Sequence, residues 1–258
     1  MKLPKNLPNL PKNIEKIQLL FGKDEVDMVE FSSIIEKDSI LSANILKLVN
    51  SPFYALKTKV SSIHQATTLL GTTILRGIIM AVVLRKNFSI DLNIYGITQN
   101  IFDEICFSRV KFGNLWIKDK KDIDIKNTLS ALFLMENGKI LMIYWAMQEN
   151  ITEKFKKLIK AKGNTKAEIE LFGMDRYLLA SILFKKWMFD KNFTDMIKGT
   201  LSPETKEQRI LKVIITLINT KSILGKENIK KALKLVEIYQ MNCDHFLQSI
   251  NQMKAEIS

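Results

Sequence analysis

The placement of proline constrains this chain more than any other feature. Prolines stand at positions 4, 8 and 11, then at 52 and 203, so that residues 53–202 contain none. Proline removes a backbone donor and breaks the interior of a helix, and its absence therefore permits long helices. Apolar residues recur every three or four positions in this stretch, with no sustained alternation of period two. The pattern predicts an all-α protein that begins with an extended arm.

Capping residues divide this pattern into individual helices. Two capping-box patterns are present, Ser62 with Gln65 and Thr165 with Glu168. Pro203 suits the first position of a later helix. The predicted helices cover residues 12–21, 26–36, 39–50, 62–86, 98–118, 126–148, 151–161, 165–189, 192–199, 203–222, 226–238 and 242–255.

Two interruptions of the helical pattern suggest how the chain is organised. Residues 88–100 break the periodicity, and residues 118–127 form a charged connector. We expect an N-terminal helical lobe over residues 1–90, packed on a larger helical lobe over residues 91–225. Residues 226–258 are predicted to form two amphipathic helices that either complete the core or form an interface, for example in a homodimer.

The formal net charge of +12 at pH 7 raises nucleic acid and anionic membranes as partners. Only five of the 39 basic residues are arginine, however, and it is the planar arginine fork that reads phosphates and bases in fixed geometry. We therefore do not expect nucleic-acid binding. The densest lysine cluster is either a solvated helix face or a weak nucleotide site; it comprises Lys154, Lys156, Lys157, Lys160, Lys162 and Lys166.

No apolar segment is long enough to cross a bilayer. The longest wholly apolar run covers only Ile78 to Leu84, whereas a spanning helix needs about 20 residues. The first residues also lack the apolar region of a signal peptide. Cys106 and Cys243 lie far apart and match no metal or redox spacing. These features predict a cytoplasmic protein that does not enter the membrane.

The segment EKDSILSANILKLVNSPFYALKTKVSSIHQATTLLGTTILRGIIM, residues 36–80, carries a specific resemblance. An aspartate leads a helix that ends in Asn-Ser, an aromatic pair follows, and a serine opens a helix that contains Leu-Gly and Leu-Arg. This arrangement resembles the signature of the HDOD family, an output domain related to HD phosphohydrolases. The residues that carry it are Asp38, Asn50, Ser51, Phe53, Tyr54, Ser62, Gly71 and Arg76.

The same residues also have a purely structural interpretation, which we favour. Asp38 can cap a helix, Asn50 tolerates the left-handed conformation at a helix end, and Phe53 and Tyr54 can fill the corner that follows. The aromatic pair could alternatively bind a partner. Arg76 interrupts an apolar half-helix, and because an unpaired buried charge is too costly, we predict an acidic or carbonyl partner for it.

The second half of the chain is similar to the HD portion of the family, in which histidines and aspartates hold a divalent metal. The resemblance aligns ALFLMENGKILM, residues 131–142, with the stretch around the His-Asp pair, so that Met135 and Glu136 stand in place of that pair. It likewise places Phe107 and Arg176 at two histidine positions and Asn219 near the last aspartate. The resemblance therefore implies a degenerate site with no metal and no other cofactor.

The chain contains only two histidines, His64 and His245, and we interpret both as surface residues. Helical spacing directs Glu136 and Arg176 towards the interior of their predicted helices. We therefore consider two alternatives with equal weight: that these two side chains pair and replace the charge of the metal, or that one of them extends to solvent.

Three functions follow as hypotheses. The leading one is a non-catalytic bacterial signal-transduction protein, because the HDOD resemblance implies control of motility or stress responses through partner proteins. The second is a residual phosphohydrolase that holds a metal with Glu136, Asp175, Asp190 and Asp195. The third is weak nucleotide or nucleic-acid binding by the lysine cluster, which generic electrostatics would explain.

Overall fold

The computed structural model describes residues 3–4, 7, 12–20, 27–50, 58–69, 75, 78–79, 82 and 90–256. Helices dominate these residues, which confirms the predicted all-α class. The α-helices are α1 (Lys12–Leu20), α2 (Met28–Glu36), α3 (Ser39–Val49), α4 (Gln99–Ile117), α5 (Ile125–Leu134), α6 (Gly138–Gln148), α7 (Thr152–Lys162), α8 (Asn164–Phe172), α9 (Arg176–Lys186), α10 (Lys191–Lys198), α11 (Lys206–Leu217), α12 (Lys226–Ile238) and α13 (Cys243–Ala255). Residues 63–69 are also helical.

Short elements lie between the helices that follow residue 90. Three 3₁₀ turns cover Leu92–Tyr95, Met135–Asn137 and Gly199–Leu201. An antiparallel hairpin of two short strands, β1 (Ile218–Asn219) and β2 (Ser222–Ile223), follows α11. The predicted helix 203–222 is wrong beyond Leu217, where the hairpin begins. Neither the hairpin nor the 3₁₀ turns were predicted, since two-residue strands and single turns are too short to produce a periodicity.

Near the start of the chain, polar side chains fix the ends of the helices. Asp38 accepts a hydrogen bond from the amide of Leu41 at 2.9 Å, as predicted for a cap. The side-chain amide of Asn50 donates to the carbonyl of Val60, and its oxygen accepts from the amide of Val60, both at 2.8 Å. Asn50 therefore holds the end of α3 against the chain ten residues later.

Part of the family signature can be compared with the structure. The hydroxyl of Ser62 accepts from the amide of Gln65 at 3.1 Å, and Gln65 accepts in return from the amide of Ser61 rather than that of Ser62. Five signature residues, and with them the expected partner of Arg76, lie outside the described residues: Ser51, Phe53, Tyr54, Gly71 and Arg76.

Two predicted long helices are wrong because each is broken near its middle. The predicted helix 126–148 divides at the 3₁₀ turn before Gly138, where a Cβ atom would lie 2.0 Å from the backbone oxygen of Arg176. The predicted helix 165–189 divides at Gly173, which has a left-handed φ of 72°, and Asp175 then caps α9. Gly173 is typical of a helix end and Asp175 of a helix start, but the apolar periodicity continues across both residues and obscured these signals.

Two predicted N-terminal caps are also wrong. No side chain caps α8, and Glu168, assigned to a capping box with Thr165, binds other residues. Helix α11 begins at Lys206 rather than at Pro203, because Thr205 and Gln208 form the capping box there.

Helix α12 packs against α11, and α13 packs against α4. On α13, the buried ring of Phe246 meets Trp116 and Phe112 of α4 edge to face, with ring centroids 5.1 Å and 5.6 Å away. Val236 of α12 and Ile250 of α13 are also buried. Both helices thus contribute side chains to the apolar core.

A buried charge network as the candidate functional site

Glu136 lies in the 3₁₀ turn between α5 and α6, and its side chain is only 1% exposed. Three cationic side chains surround its carboxylate. The guanidinium of Arg109 donates to Oε2, Nζ of Lys139 lies 2.5 Å from Oε1, and Nε of Arg176 lies 3.8 Å from Oε1. The carboxylate is therefore held by charges from three helices.

Arg109 reaches this site from the buried face of α4. It interrupts an apolar stripe of that helix, between Ile105 and Phe112, and it is 2% exposed. Its Nε donates to the carbonyl oxygen of Ile218 at 3.0 Å. One guanidinium thus connects α4 with both the turn that carries Glu136 and strand β1.

Glu168 forms the second anionic centre of the network and is fully buried. Nη1 of Arg176 donates to both of its carboxylate oxygens, at 2.8 Å and 3.0 Å, and the backbone amide of Arg176 donates to Oε2 at 3.1 Å. The hydroxyl of Tyr95 donates to Oε1 at 2.8 Å. Glu168 therefore ties the 3₁₀ turn 92–95 to the first residue of α9.

Two tyrosines enclose these charges. Nη2 of Arg176 donates to the hydroxyl of Tyr177 at 3.2 Å. Nζ of Lys139 lies 5.4 Å from the ring centroid of Tyr95, within the range of a cation–π contact. Burial first, and then the charge of Glu168, raises the pKa of Tyr95 well above its usual range. Both rings are buried.

The electrostatics of the network favour an ionised Glu136. Burial alone would raise the pKa of its carboxyl, but the charges of Arg109, Lys139 and Arg176 outweigh burial and hold the pKa far below the ordinary value. Burial lowers the pKa of Lys139, whereas the neighbouring Glu136 raises it; the net direction is downward. The network is thus anchored on a carboxylate that stays charged at neutral pH.

The residues of this network do not fit a divalent metal ion. Three cations face two carboxylates, which leaves one surplus positive charge, and cationic nitrogens already lie against the carboxylates of Glu136 and Glu168. In the parts of the chain that the structure describes, no three His, Cys, Asp or Glu side chains are grouped to bind a metal. A guanidinium and an ammonium cannot act as ligands, and they would repel a cation.

The structure brings together only some of the predicted site residues. Glu136 and Arg176 belong to one network, although each has closer partners than the other. Phe107 packs on Phe133 with ring centroids 5.2 Å apart, and Met135 is fully buried. Asn219 donates to the carbonyl of Thr216 and lies beside the network without joining it.

Of the aspartates of the second hypothesis, two cap helices and one is exposed. Asp175 accepts hydrogen bonds from the amides of Tyr177 and Leu178 at the start of α9. Asp190 accepts from the amide of Phe193 at the start of α10. Asp195 is exposed on α10. His64 is exposed and His245 is partly exposed.

Sequence reasoning missed several members of the network: Tyr95, Arg109, Lys139, Glu168 and Tyr177. For two of them a signal was present. Arg109 interrupts the apolar series Phe102, Ile105 and Phe112. Lys139 follows Glu136 by three residues, which is the spacing of an ion pair on one helix face.

The comparisons with known proteins agree with this architecture. The HDOD domain family matches residues 7–203, and the chain therefore belongs to the HDOD family. No curated protein matches the chain significantly. None of the described helices combines the length and the apolar character that a membrane crossing requires.

Several solved structures share the fold. A candidate phosphohydrolase from Shewanella amazonensis SB2B matches with a TM-score of 0.71 and 17% identity, over 96% of this chain and 91% of that one. A virulence factor from Campylobacter jejuni matches with a TM-score of 0.58 and 23% identity, over 98% and 96%. A candidate signal transduction protein from Marinobacter aquaeolei VT8 matches with a TM-score of 0.60 and 17% identity, over 96% and 60%.

Proposed function

We propose that this chain is a non-catalytic regulatory protein of bacterial signal transduction, which acts in the cytoplasm by binding other proteins. The observation that carries the proposal is the carboxylate of Glu136, which is surrounded by Arg109, Lys139 and Arg176. By resemblance, this is the position at which a working HD enzyme holds its metal. Because side-chain cations are fixed at this position, they support a structural role for residues that would hold the catalytic metal in a working HD enzyme.

The energetics of burial support the same conclusion. Each buried ion costs several kcal/mol of desolvation, which only well-placed partners recover. The contacts among Arg109, Glu136, Arg176 and Glu168 provide such partners within the protein itself. A substrate phosphate would have to displace one of these carboxylates, and a metal would have to displace the cations. Both exchanges would leave buried charges unpaired.

The alternative function is a residual phosphohydrolase, in line with the name of the Shewanella amazonensis relative. This alternative can be tested directly. The purified full chain should be analysed for bound manganese, iron, zinc and magnesium. It should then be assayed on cyclic dinucleotides and nucleotide phosphodiesters with Mg²⁺ or Mn²⁺ added, against a heat-unfolded sample. We expect substoichiometric metal and no turnover above that control. A stoichiometric metal accompanied by turnover that a chelator abolishes would overturn the proposal.

The proposed binding of other proteins is tested by a separate measurement. Cross-linking in cells of the native host, followed by purification and identification, should yield a defined protein partner. The complex should then be rebuilt from the two purified proteins, with the oligomeric state of each followed by sedimentation. We expect a complex between this chain, as monomer or homodimer, and a signalling protein. Failure of every identified candidate to bind the purified chain would contradict the proposal.

A further inference from the structure

Helix α7 exposes a lysine-bearing face that the charge network does not use, and of its residues Leu158 packs partly against the core. Lys154, Lys157, Leu158 and Ala161 line a shallow groove of about 440 Å³ along this face. Lys154, Lys157 and Ala161 are exposed, and Leu158 is half-buried. The groove thus has an apolar floor with ammonium groups beside it.

The position of Lys154 is not explained by helix stability. Lys160 and Lys162 stand in the last turn of α7, where the helix dipole favours cations. Lys154 instead stands in the first turn, where the dipole disfavours a cation. Among the residues that the structure describes, no carboxylate forms an ion pair with Lys154 or Lys157, whereas Lys162 pairs with Glu170 at 2.7 Å.

The other face of α7 is firmly anchored. Phe155 is fully buried and packs edge to face on Tyr95 and Phe172, with ring centroids 5.5 Å and 5.1 Å away. Ile159 is also buried. Because the helix is fixed on its inner side, the groove is presented on a rigid surface and a partner need not order it on binding.

We propose that this groove docks an acidic, amphipathic helical segment of a partner protein. Carboxylates of the segment would pair with Lys154 and Lys157, while one of its apolar side chains covers Leu158 and Ala161. This proposal rests on the protein-binding function proposed above and names the chemistry of one partner surface.

The composition of the groove favours a protein over the other anionic partners. A nucleic acid would be bound better by arginine forks and exposed rings, and α7 has no arginine while its single aromatic residue, Phe155, is buried. Insertion into a membrane would need protruding apolar side chains. Leu158 is half-buried and Ala161 is short, so neither can reach into a bilayer.

The first experiment places a photoreactive benzoylphenylalanine at Ala161 of the full chain, in cells of the native host. The same residue at Lys234, on the exposed face of α12, is the control. We expect irradiation to produce a protein adduct from position 161 and not from position 234. The cross-linked peptide should be acidic and carry apolar residues at helical spacing.

The second experiment measures affinity with that peptide in synthetic form, by fluorescence anisotropy. The double variant Lys154→Glu, Lys157→Glu should bind it about tenfold or more weakly, whereas Lys154→Arg, Lys157→Arg should retain binding. The matched control Lys230→Glu, Lys234→Glu makes the same change of charge on α12 and should leave affinity unchanged. Circular dichroism and thermal melting check that every variant remains folded.

Several results would overturn the proposed docking role of the groove. These are adducts to RNA or lipid, a neutral or basic peptide, no adduct at position 161 above the control, or an equal loss of affinity in the α12 variant. If partner proteins are then found on other surfaces, the regulatory function stands and only this surface is wrong. Failure of the function itself would show instead as metal-dependent turnover.

Discussion

Glu168 binds Arg176 at two points, through the side-chain guanidinium and through the backbone amide that begins α9. One carboxylate thus neutralises a buried cation and also satisfies a free amide at the helix N-terminus, where negative charge is favoured. This contact joins helices α8 and α9 across the break that separates them.

Replacement of Glu168 by glutamine should therefore be severely destabilising. It leaves the guanidinium of Arg176 buried with its main counterion removed, and loss of one partner of a buried ion pair costs about 3–5 kcal/mol. Urea denaturation followed by circular dichroism measures the change in the free energy of unfolding. Glu170→Gln is the matched control, because the Lys162–Glu170 pair is half-exposed and should contribute only about 0–1 kcal/mol. Equal losses in the two variants would contradict the role of the buried pair.

Stability should also depend on pH through Glu136. Its pKa in the folded protein lies far below the ordinary value of 4.5, so the unfolded chain binds more protons in acid. The stabilisation is complete above pH 4.5 and is lost as the pH falls towards the folded-state pKa. We expect the free energy of unfolding to decline below pH 4.5, and to decline less steeply in Glu136→Gln. Parallel curves for the two proteins would refute the assignment.

Because the network has one more positive than negative charge, removal of Lys139 and removal of Arg109 should lower the stability of the protein by different amounts. Lys139→Met removes the surplus and leaves two cations facing two carboxylates, whereas Arg109→Met also deprives the carbonyl of Ile218 of its donor. Buried ions can be replaced by apolar residues of similar volume at little cost, but a removed partner that leaves groups unpaired is expensive. Arg109→Met should therefore lower the melting temperature more than Lys139→Met. The reverse order would show that Lys139 is essential to the network.

The sequence predicted the helical class and most helix positions because apolar periodicity reports which face of each helix is buried. Predicted helix 226–238 coincides with α12, and predicted helix 242–255 begins one residue before α13. Periodicity failed inside the predicted helices 126–148 and 165–189, each of which is broken, whereas predicted helix 151–161 between them matches α7. Both faces of the polypeptide are buried around Glu136, so the pattern stays apolar through a turn that changes its direction.

The network itself was only partly predictable. The expected burial of Arg176 is correct, although the continuous helix from which we inferred it does not exist. Glu168 was assigned to a local capping box, since sequence spacing suggests partners within one turn and gives no information on distant ones. Tyr95 lies 73 residues from Glu168, and Arg109 lies 27 residues from Glu136. Only the tertiary structure brings these pairs together.

Gly138 should tolerate no side chain. A Cβ atom there would lie 2.0 Å from the backbone oxygen of Arg176, so that Gly138→Ala must separate α6 from α9 and disturb the network between them. We expect a loss of about 1–3 kcal/mol or more in the free energy of unfolding, the usual cost of overpacking. Gly173→Ala is a useful comparison, because open space surrounds that position and its cost comes from the left-handed backbone alone. The two variants should differ in hydrogen exchange at α6, with faster exchange only in Gly138→Ala.

Helix α13 should behave as part of the core and not as an independent extension. Phe246 is fully buried between Trp116 and Phe112, and truncation of such a ring costs about 3–5 kcal/mol. Phe246→Ala should therefore destabilise the whole lobe, with tryptophan fluorescence and circular dichroism unfolding in one transition. Its neighbour Leu247 is 37% exposed on the same helix, and Leu247→Ala should change stability by only about 0.5 kcal/mol. If Phe246→Ala instead melts α13 alone and leaves the unfolding of the remaining helices unchanged, residues 226–258 form a separate extension whose exposed apolar side chains become available to a partner.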